Sequence, residues 1–159
     1  SDLMLPADAA MLAEIFRASV EELTAEDYNP AQQEAWMSVA DNEEAFAQRL
    51  GRHLALVVTL DGSPVGFATL EGPTRIDMVY VHPAASGHGA GAMLVDALEK
   101  LAASRGAAHL TVDASDSARE FFTHRGFTPE QRNSVLVGDE WLSNTTMKKQ
   151  LAGAKEKAQ

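Results

Sequence analysis

Three glycines at alternate positions, Gly87, Gly89 and Gly91, follow an apolar segment that ends at Pro83 and precede a segment with helical spacing. Glycine tolerates positive φ angles and allows a ligand to approach the backbone closely. The unpaired N–H groups and the dipole at the start of a helix attract anions. The sequence therefore predicts a loop that binds a phosphate or pyrophosphate.

One carboxylate, Asp77, interrupts the apolar segment that leads into this loop. Because alternate side chains of a strand share a face, Asp77 is expected beside Val79 and Val81, with Tyr80 on the opposite, core face. A carboxylate beside a bound substrate can accept a proton from it. Asp77 is thus a candidate general base, and the structural alternative is that it orders a loop or pairs with Arg75.

The histidines predict no metal site, because the five of them have no cysteine companions and form no H-x-x-x-H pair. His82 and His88 are expected to contact the backbone or to face solvent rather than to act as bases.

Hydrophobic periodicity and capping residues predict the elements that position these groups. Helices are expected at 8–22, from the Asn29 cap onward, from about 42 to 51, at 90–104 and at 117–125. Strands are expected at 53–60, 64–70, 75–81, 109–112, 134–137 and 141–147. Asp61-Gly62 is a hairpin signal between the first two strands.

This order of elements predicts one α/β domain over residues 1–151, with a mixed sheet and helices on both faces, followed by a frayed polar tail at 152–159. Repeated βαβ units are not expected. A length of 159 residues suits a single core, and there is no apolar run near 20 residues that would span a membrane.

The net charge of −10 argues against nucleic acid as a partner, because Lys and Arg supply that affinity. An acidic surface favours cationic substrates such as amines, and simple solubility is the equally weighted alternative. The N-terminus has no features of a signal peptide and the chain has no cysteine, so a cytoplasmic protein is expected.

The segment Gly87-His88-Gly89-Ala90-Gly91-Ala92 also matches the dinucleotide fingerprint G-x-G-x-x-A, with Asp113 as the later acid. In that fingerprint the strand runs directly into the first glycine, whereas here Pro83 and three further residues intervene. The remaining chain does not supply repeated βα units. A nucleotide-dependent oxidoreductase is therefore the weaker interpretation.

Two motifs together resemble the GNAT superfamily of N-acetyltransferases. VHP at 81–83 and SGHGAG at 86–91 are similar, in order and spacing, to its V-x-P, loop, R/Q-x-x-G-x-G/A cofactor motif. AREFFTHRGF at 118–127 is similar to its A-x-x-F-Y-x-x-x-G-F motif. The resemblance covers nearly the whole chain and implies a largely antiparallel sheet with one splayed parallel pair, between the 75–81 and 109–112 strands.

The resemblance implies acetyl-CoA as cosubstrate and direct acetyl transfer to an amine. The pantetheine arm is expected to pair with the backbone of Val79 and Val81, and a backbone N–H near Val79 would stabilise the oxyanion. The pyrophosphate is expected on the backbone N–H groups of Gly87, His88, Gly89, Ala90, Gly91 and Ala92. Asp77 stands where several relatives carry a catalytic Glu or His.

Two residues depart from the family pattern. Ser86 replaces an Arg or Gln of the cofactor loop, and Phe122 replaces a Tyr that in many relatives protonates the leaving thiolate. The loss of the Tyr supports an alternative in which the chain is a non-catalytic CoA-binding module. Which group protonates the thiolate, and which acyl chain lengths are accepted, stay open.

The acceptor site is the part of the protein about which the sequence predicts least. Tyr28 and Trp36 lie in the segment that roofs the acceptor site in relatives, and core packing is the structural alternative for both. Trp141 and Asn144 lie near the expected acceptor entrance. A small cationic molecule or a peptide amine is expected as acceptor, and dimerisation, common for such folds, is left open.

Overall fold

A computed structural model of the protein describes residues 2–4 and 9–151. The helices are α1 (Ala9–Leu23), α2 (Pro30–Met37), α3 (Glu43–Arg52), α4 (Ala90–Ser104) and α5 (Arg119–His124), with 3₁₀ turns at Ser38–Ala40 and Pro83–Ala85. The strands are β1 (Asp2–Met4), β2 (Leu54–Leu60), β3 (Ser63–Glu71), β4 (Arg75–Val81), β5 (His109–Ser115), β6 (Thr128–Val137) and β7 (Glu140–Gln150).

The described strands form one sheet in the order β1-β2-β3-β4-β5-β7-β6. Every neighbouring pair is antiparallel except β4 and β5, which run parallel. The α4 helix makes the crossover between these two strands, as a parallel connection requires. The predicted mixed sheet with one parallel pair is confirmed.

Helices cover both faces of the sheet. On one face, α4 and α5 pack Leu94, Leu98 and Phe122 into a buried apolar cluster with Ile76. On the other face, α1 and α3 form a second cluster, whose largest members are Phe16, Phe46, Phe67 and Met78. The sheet is thereby fixed as a rigid middle layer.

The parallel strands β4 and β5 separate soon after they meet. Their pairing is limited to Arg75 opposite Thr111 and Ile76 opposite Val112, although both strands continue beyond these residues. From that point β4 pairs only with β3, so one edge of its backbone faces an open cleft. The splayed pair implied by the family resemblance is present.

A β-bulge in β4 reverses the expected orientation of Asp77. Leu70 of β3 pairs with Ile76 and the adjacent Thr69 pairs with Met78, which leaves Asp77 as the extra residue. Ile76 packs in the α4 cluster and Met78 in the α1 cluster, so alternation is broken here. Asp77 turns towards α3 instead of sharing the face of Val79 and Val81, and the prediction of a shared face is wrong.

Capping residues fix the helix starts that position the site. Asn29 accepts a hydrogen bond from the Gln32 N–H at 2.8 Å, and the Gln32 side chain accepts one from the Asn29 N–H at 2.9 Å. This is the predicted capping box. In α3 the cap is Asn42, whose side chain accepts from the Ala45 N–H. Gly89 at the start of α4 has a φ of 77°.

Strand ends on the β5–β7 side were harder to predict than those on the β2–β4 side. β5 extends to Ser115, three residues beyond the predicted end, and β6 begins at Thr128 rather than at 134. Most of β6 is exposed, so apolar alternation does not mark it. The short strand β1 was not predicted, and the tail at 152–159 lies outside the described residues.

None of the described helices has the length and apolarity needed to cross a membrane.

A glycine pair tests the packing of the sheet. A Cβ added to Gly66 in β3 would lie 3.1 Å from the Tyr80 carbonyl oxygen and 3.2 Å from Val58 Cγ1. We expect Gly66→Ala to lower the free energy of unfolding by about 1–3 kcal/mol. At Gly51 in α3, no atom lies within 4 Å of such a Cβ. Gly51→Ala should therefore raise the free energy of unfolding by about 0.5–1 kcal/mol. Urea denaturation followed by circular dichroism measures both, and equal effects would contradict the described packing.

Candidate functional site

A cavity of about 460 Å³ opens where β4 and β5 diverge. Its walls come from β4, the end of β5, all five helices and the β6–β7 hairpin. Gly91 at the start of α4 lines it together with α5, and Trp36 of α2 lines it together with β7. The cavity therefore joins the predicted cofactor residues to the predicted acceptor residues.

The wall nearest α4 and α5 is apolar. Val79 and Val81 contribute their side chains and the free backbone edge of β4, and Gly91 and Phe122 complete this wall with Phe121. A Cβ at Gly91 would lie 3.3 Å from the Phe121 ring, so glycine here permits close packing of α4 on α5. The structure thus brings these predicted residues together.

The rest of the glycine loop directly precedes Gly91 in the chain, but residues 86–90 and Ala92 do not line the cavity. Gly87 and Gly89 have φ angles of 87° and 77°, which L-residues with side chains rarely adopt. Ser86 and His88 are exposed. The first hydrogen bond of α4 runs from the Met93 N–H to the Gly89 carbonyl, at 3.0 Å.

The N–H groups of Ala90, Gly91 and Ala92 lie in the first turn of α4, where a helix supplies no acceptor of its own. The His88 N–H, one of the six predicted donors, instead donates to the Ala85 carbonyl at 3.2 Å. An anion at this loop would therefore be held mainly by the first turn of the helix.

His82 shapes the loop rather than facing the cavity. Its Nδ1 accepts a hydrogen bond from the Ala84 N–H at 3.1 Å. The backbone N–H of His82 donates to the Val65 carbonyl at 2.7 Å. This arrangement agrees with the expectation that His82 makes backbone contacts.

Phe122 is buried and offers no proton. Its ring stacks edge-on against Phe121 and Phe127, with centroid distances of 5.1 and 5.2 Å. It occupies the cavity wall as an apolar surface, so a proton for a leaving group must come from elsewhere.

Asp77 and Arg49 form a two-point ion pair on the cavity floor. Arg49 Nε donates to Asp77 Oδ2 and Arg49 Nη2 donates to Asp77 Oδ1, both at 3.0 Å. This hydrogen bonding raises the pKa of the Arg49 guanidinium against the opposing effect of burial. His53 Nε2 lies 3.5 Å from Asp77 Oδ2 and 3.6 Å from Glu71 Oε2.

Sequence reasoning missed Arg49 and His53. Arg49 lies in the last turn of α3 and His53 directly follows the helix, and both meet Asp77 on the side to which the bulge in β4 turns it. The ligand atoms of His53, Glu71 and Asp77 lie within 4.8 Å of one another, a spacing that a metal ion could bridge. Arg49 on Asp77 and Arg75 at 3.9 Å from Glu71 place two positive charges beside this group, which opposes a bound cation.

Three aromatic residues form the opposite wall. The Tyr28 ring lies edge-on to Trp36 at 5.3 Å, and Trp36 lies 6.4 Å from Tyr80. The Tyr28 hydroxyl donates to the Ser143 carbonyl at 2.6 Å and accepts from the Asp116 N–H at 2.9 Å. Tyr28 and Trp36, the predicted acceptor residues, therefore line the cavity, and Tyr28 also ties it to β7 and to the residue that follows β5.

Tyr80 joins this wall, because Trp36 Nε1 donates to its hydroxyl at 3.2 Å. Tyr80 also packs on the α1 cluster, as its predicted core position requires, although it lies on the same side of the sheet as Asp77. Burial raises the pKa of Tyr80 to about 12 and also raises the pKa of Tyr28. Both phenols are neutral donors at ordinary pH. Asn144 lines the cavity, while Trp141 is 61% exposed on the hairpin outside it.

Among the residues that the structure describes, four charged ones line the cavity, and their charges cancel. Arg49 pairs with Asp77, and Arg75 Nη2 lies 3.2 Å from Asp113 Oδ2. The net charge of −10 of the whole chain therefore arises outside the cavity. What the site presents to a ligand is an apolar and aromatic surface with internally paired charges.

Comparison with known proteins adds a family match to this geometry. The family model described as an acetyltransferase (GNAT) domain matches residues 24–151, which include every element that lines the cavity except α1.

Individual proteins that are similar to this chain agree with the family match. The uncharacterized N-acetyltransferase YafP of Escherichia coli K12 is 30% identical over 144 residues, which are 90% of each chain. A GCN5-related N-acetyltransferase from Rhodopseudomonas palustris, also designated a class-II aminotransferase, is 59% identical with a TM-score of 0.91 over 94% of each chain. The PaiA N-acetyltransferase of Thermoplasma acidophilum, in complex with coenzyme A, shares the fold: TM-score 0.79 and 19% identity over 94% of this chain and 98% of that one.

The buried phenol of Tyr80 predicts a specific loss of stability in alkali. Its folded-state pKa of about 12 lies above the unfolded value of about 10, so its contribution is complete below pH 10 and is lost as the pH rises towards 12. We expect the wild type to lose about 2–3 kcal/mol more than Tyr80→Phe over this range. Denaturation curves at a series of pH values measure the difference, and parallel pH profiles of the two proteins would contradict the burial.

Proposed function

The chain belongs to the GNAT family of acetyltransferases, and from that premise we propose that it transfers acetyl from acetyl-CoA directly to an amine. One observation carries the proposal. The cleft between β4 and β5 joins a glycine-started helix at one end to a fixed carboxylate, Asp77, at the other. A thioester held in the cleft would lie between an anion site and a proton acceptor.

The cleft suits coenzyme A in two ways. The free edge of β4 at Val79 and Val81 offers backbone groups that the amides of the pantetheine arm can pair with, as an added strand would. The N–H groups in the first turn of α4, with Gly87 and Gly89, favour the pyrophosphate. Ser86 adds a hydroxyl but no charge, so the backbone supplies most of this attraction.

The proposed reaction starts from a protonated amine. Asp77, directly or through water, takes one proton, and the amine nitrogen attacks the thioester carbonyl carbon. A backbone N–H near Val79 stabilises the oxyanion that forms. The C–S bond then breaks, the second nitrogen proton passes through water to the thiolate because Phe122 cannot donate one, and the products are the amide, CoA thiol and one released proton.

The acceptor end contains the aromatic wall of Tyr28 and Trp36 beside Asp77. The acidic composition supports a small cationic molecule or a peptide amine as the acceptor class. The rival proposal is a non-catalytic CoA-binding module, and the absence of a donor at Phe122 is the observation in its favour.

Thermal unfolding with CoA, acetyl-CoA, longer acyl-CoAs and NAD tests the cosubstrate. We expect a rise in Tm with the CoA compounds and none with NAD, because a ligand that binds only the folded state stabilises it. No shift with any CoA would refute the proposal, and a shift with NAD alone would favour a dinucleotide enzyme.

A matched glycine pair locates the binding site. Gly89 and Gly72 both have positive φ and both have open space around an added Cβ, so Gly89→Ala and Gly72→Ala carry similar backbone strain. Only Gly89 lies in the cofactor loop. We expect Gly89→Ala to weaken acetyl-CoA binding about 10-fold, equivalent to about 1.4 kcal/mol, while Gly72→Ala binds normally. Calorimetric titration measures both, and equal affinities would remove the loop from the site.

Asp77→Asn tests the base. We expect acetyl-CoA affinity to be retained and turnover to fall about 100-fold or more, as for loss of a general base. Mass spectrometry of an amine panel containing spermidine, free amino acids and short peptides measures turnover. Asp113→Asn is the matched control, because Asp113 also lines the cavity beside an arginine. Unchanged turnover in Asp77→Asn would remove this residue from the base role, and CoA binding without acetylation of any amine would support the binding-module alternative.

A further inference from the structure

We propose that the acceptor is a free amino acid or a similarly small amine that carries a carboxylate, and that Arg49 binds this carboxylate. This inference rests on the proposed acetyltransferase function and narrows its acceptor. It departs from the expectation that overall acidity selects a cationic acceptor, because the residues that line the cavity have a different charge balance.

Of the ion pair between Arg49 and Asp77, the positive charge of Arg49 is the one more exposed to a ligand in the cavity. The Arg49 side chain is 33% exposed, whereas the Asp77 side chain beneath it is 7% exposed. A guanidinium has five N–H bonds, and the ion pair with Asp77 uses one on Nε and one on Nη2. The other three N–H bonds have no partner among the described residues, so they are left for an acceptor group in the cavity, which Arg49 lines.

The pair with Asp77 also fixes the guanidinium in position. Two hydrogen bonds of 3.0 Å hold its plane, so little further side-chain freedom is lost when a ligand binds. A planar guanidinium matches the two oxygens of a carboxylate better than an ammonium does. Asp77 thus acts on the acceptor both as proposed base and, through Arg49, as a positioning residue.

The charges of the cavity fit a zwitterion better than a polycation. The lining residues Arg49, Arg75, Asp77 and Asp113 sum to zero, so a polyamine would meet no excess of negative charge. An amino acid carries an ammonium and a carboxylate a few atoms apart, and Asp77 and Arg49 are adjacent groups of the matching signs. Binding the carboxylate on Arg49 would bring the amine to the proposed base.

The remaining walls suit the side chain of such an acceptor. Tyr28, Trp36 and Leu142 form an apolar surface around the acceptor end. The whole cavity of about 460 Å³ also has to hold the thioester end of the cosubstrate, which leaves room for a small molecule. The N-terminus of a peptide lacks a carboxylate next to its amine and cannot use Arg49 in this way.

Matched pairs of acceptors test the inference in the wild-type protein. We expect kcat/KM for L-leucine and L-phenylalanine to exceed, by about 10-fold or more, the values for 3-methylbutylamine and 2-phenylethylamine, since a charge-assisted pair is lost in the amines. L-Leucinamide, which keeps the shape but not the charge, should behave like the amines. Equal or better turnover of the amines, the amide or spermidine would overturn the inference.

Variants then assign the preference to Arg49. Arg49→Lys keeps the charge and should lower the amino acid preference, and Arg49→Gln should abolish it. Arg75→Gln is the control, because Arg75 lines the same cavity and pairs with Asp113. Arg49→Gln leaves Asp77 without its partner and can destabilise the fold, so the wild-type comparison of paired acceptors decides the matter if that variant is not folded.

The outcomes separate this inference from the function on which it rests. A Tm rise with acetyl-CoA together with acetylation only of amines that lack a carboxylate, or of no small amine, would overturn the amino acid acceptor and leave the cosubstrate intact. Absence of any Tm rise with acetyl-CoA would overturn the proposed function and the acceptor class together.

Discussion

The unpaired edge of β4 is the feature on which the rest of the site depends. Beyond Ile76 the strand has a hydrogen-bonding partner in β3 but none in β5, because β5 turns away. Backbone N–H and C=O groups away from bulk water are costly when unpaired, so such an edge favours a ligand that can pair with it. Apolar clusters pack on both faces of the sheet, and Phe122 and the close contact of Gly91 with Phe121 form the cleft wall. An open edge within a packed sheet is suited to a long, amide-containing cosubstrate.

The bulge at Asp77 organises the other half of the cavity. Without the extra residue, this carboxylate would follow Val79 and Val81 and face the cosubstrate side. With it, Asp77 meets Arg49 of α3 and His53 just after this helix, on the side where Tyr28 and Trp36 form the wall. One backbone irregularity therefore separates the surface proposed for acetyl-CoA from the polar pair proposed for the acceptor.

Sequence reasoning predicted the strand and helix of the half proposed for the cofactor because their determinants are local. The bounds of β4 and α4 match the predicted 75–81 and 90–104, since Pro83, Gly89 and Gly106 mark the breaks around apolar runs. The same reasoning failed where partners are distant. The direction of Asp77 depends on its register against β3, and Arg49 lies 28 residues earlier in the chain with no local signal of their contact. The start of β6 was missed because an exposed edge strand needs no apolar alternation.

A crystal structure of the protein with acetyl-CoA would test the central proposal, that the cleft between β4 and β5 holds this cosubstrate. We expect the pantetheine amides to hydrogen-bond to the backbone of Val79 and Val81, the pyrophosphate to contact the first turn of α4, and the acetyl group to point towards Asp77. Coenzyme bound at another surface, with the cleft empty or closed by further pairing of β4 with β5, would contradict it.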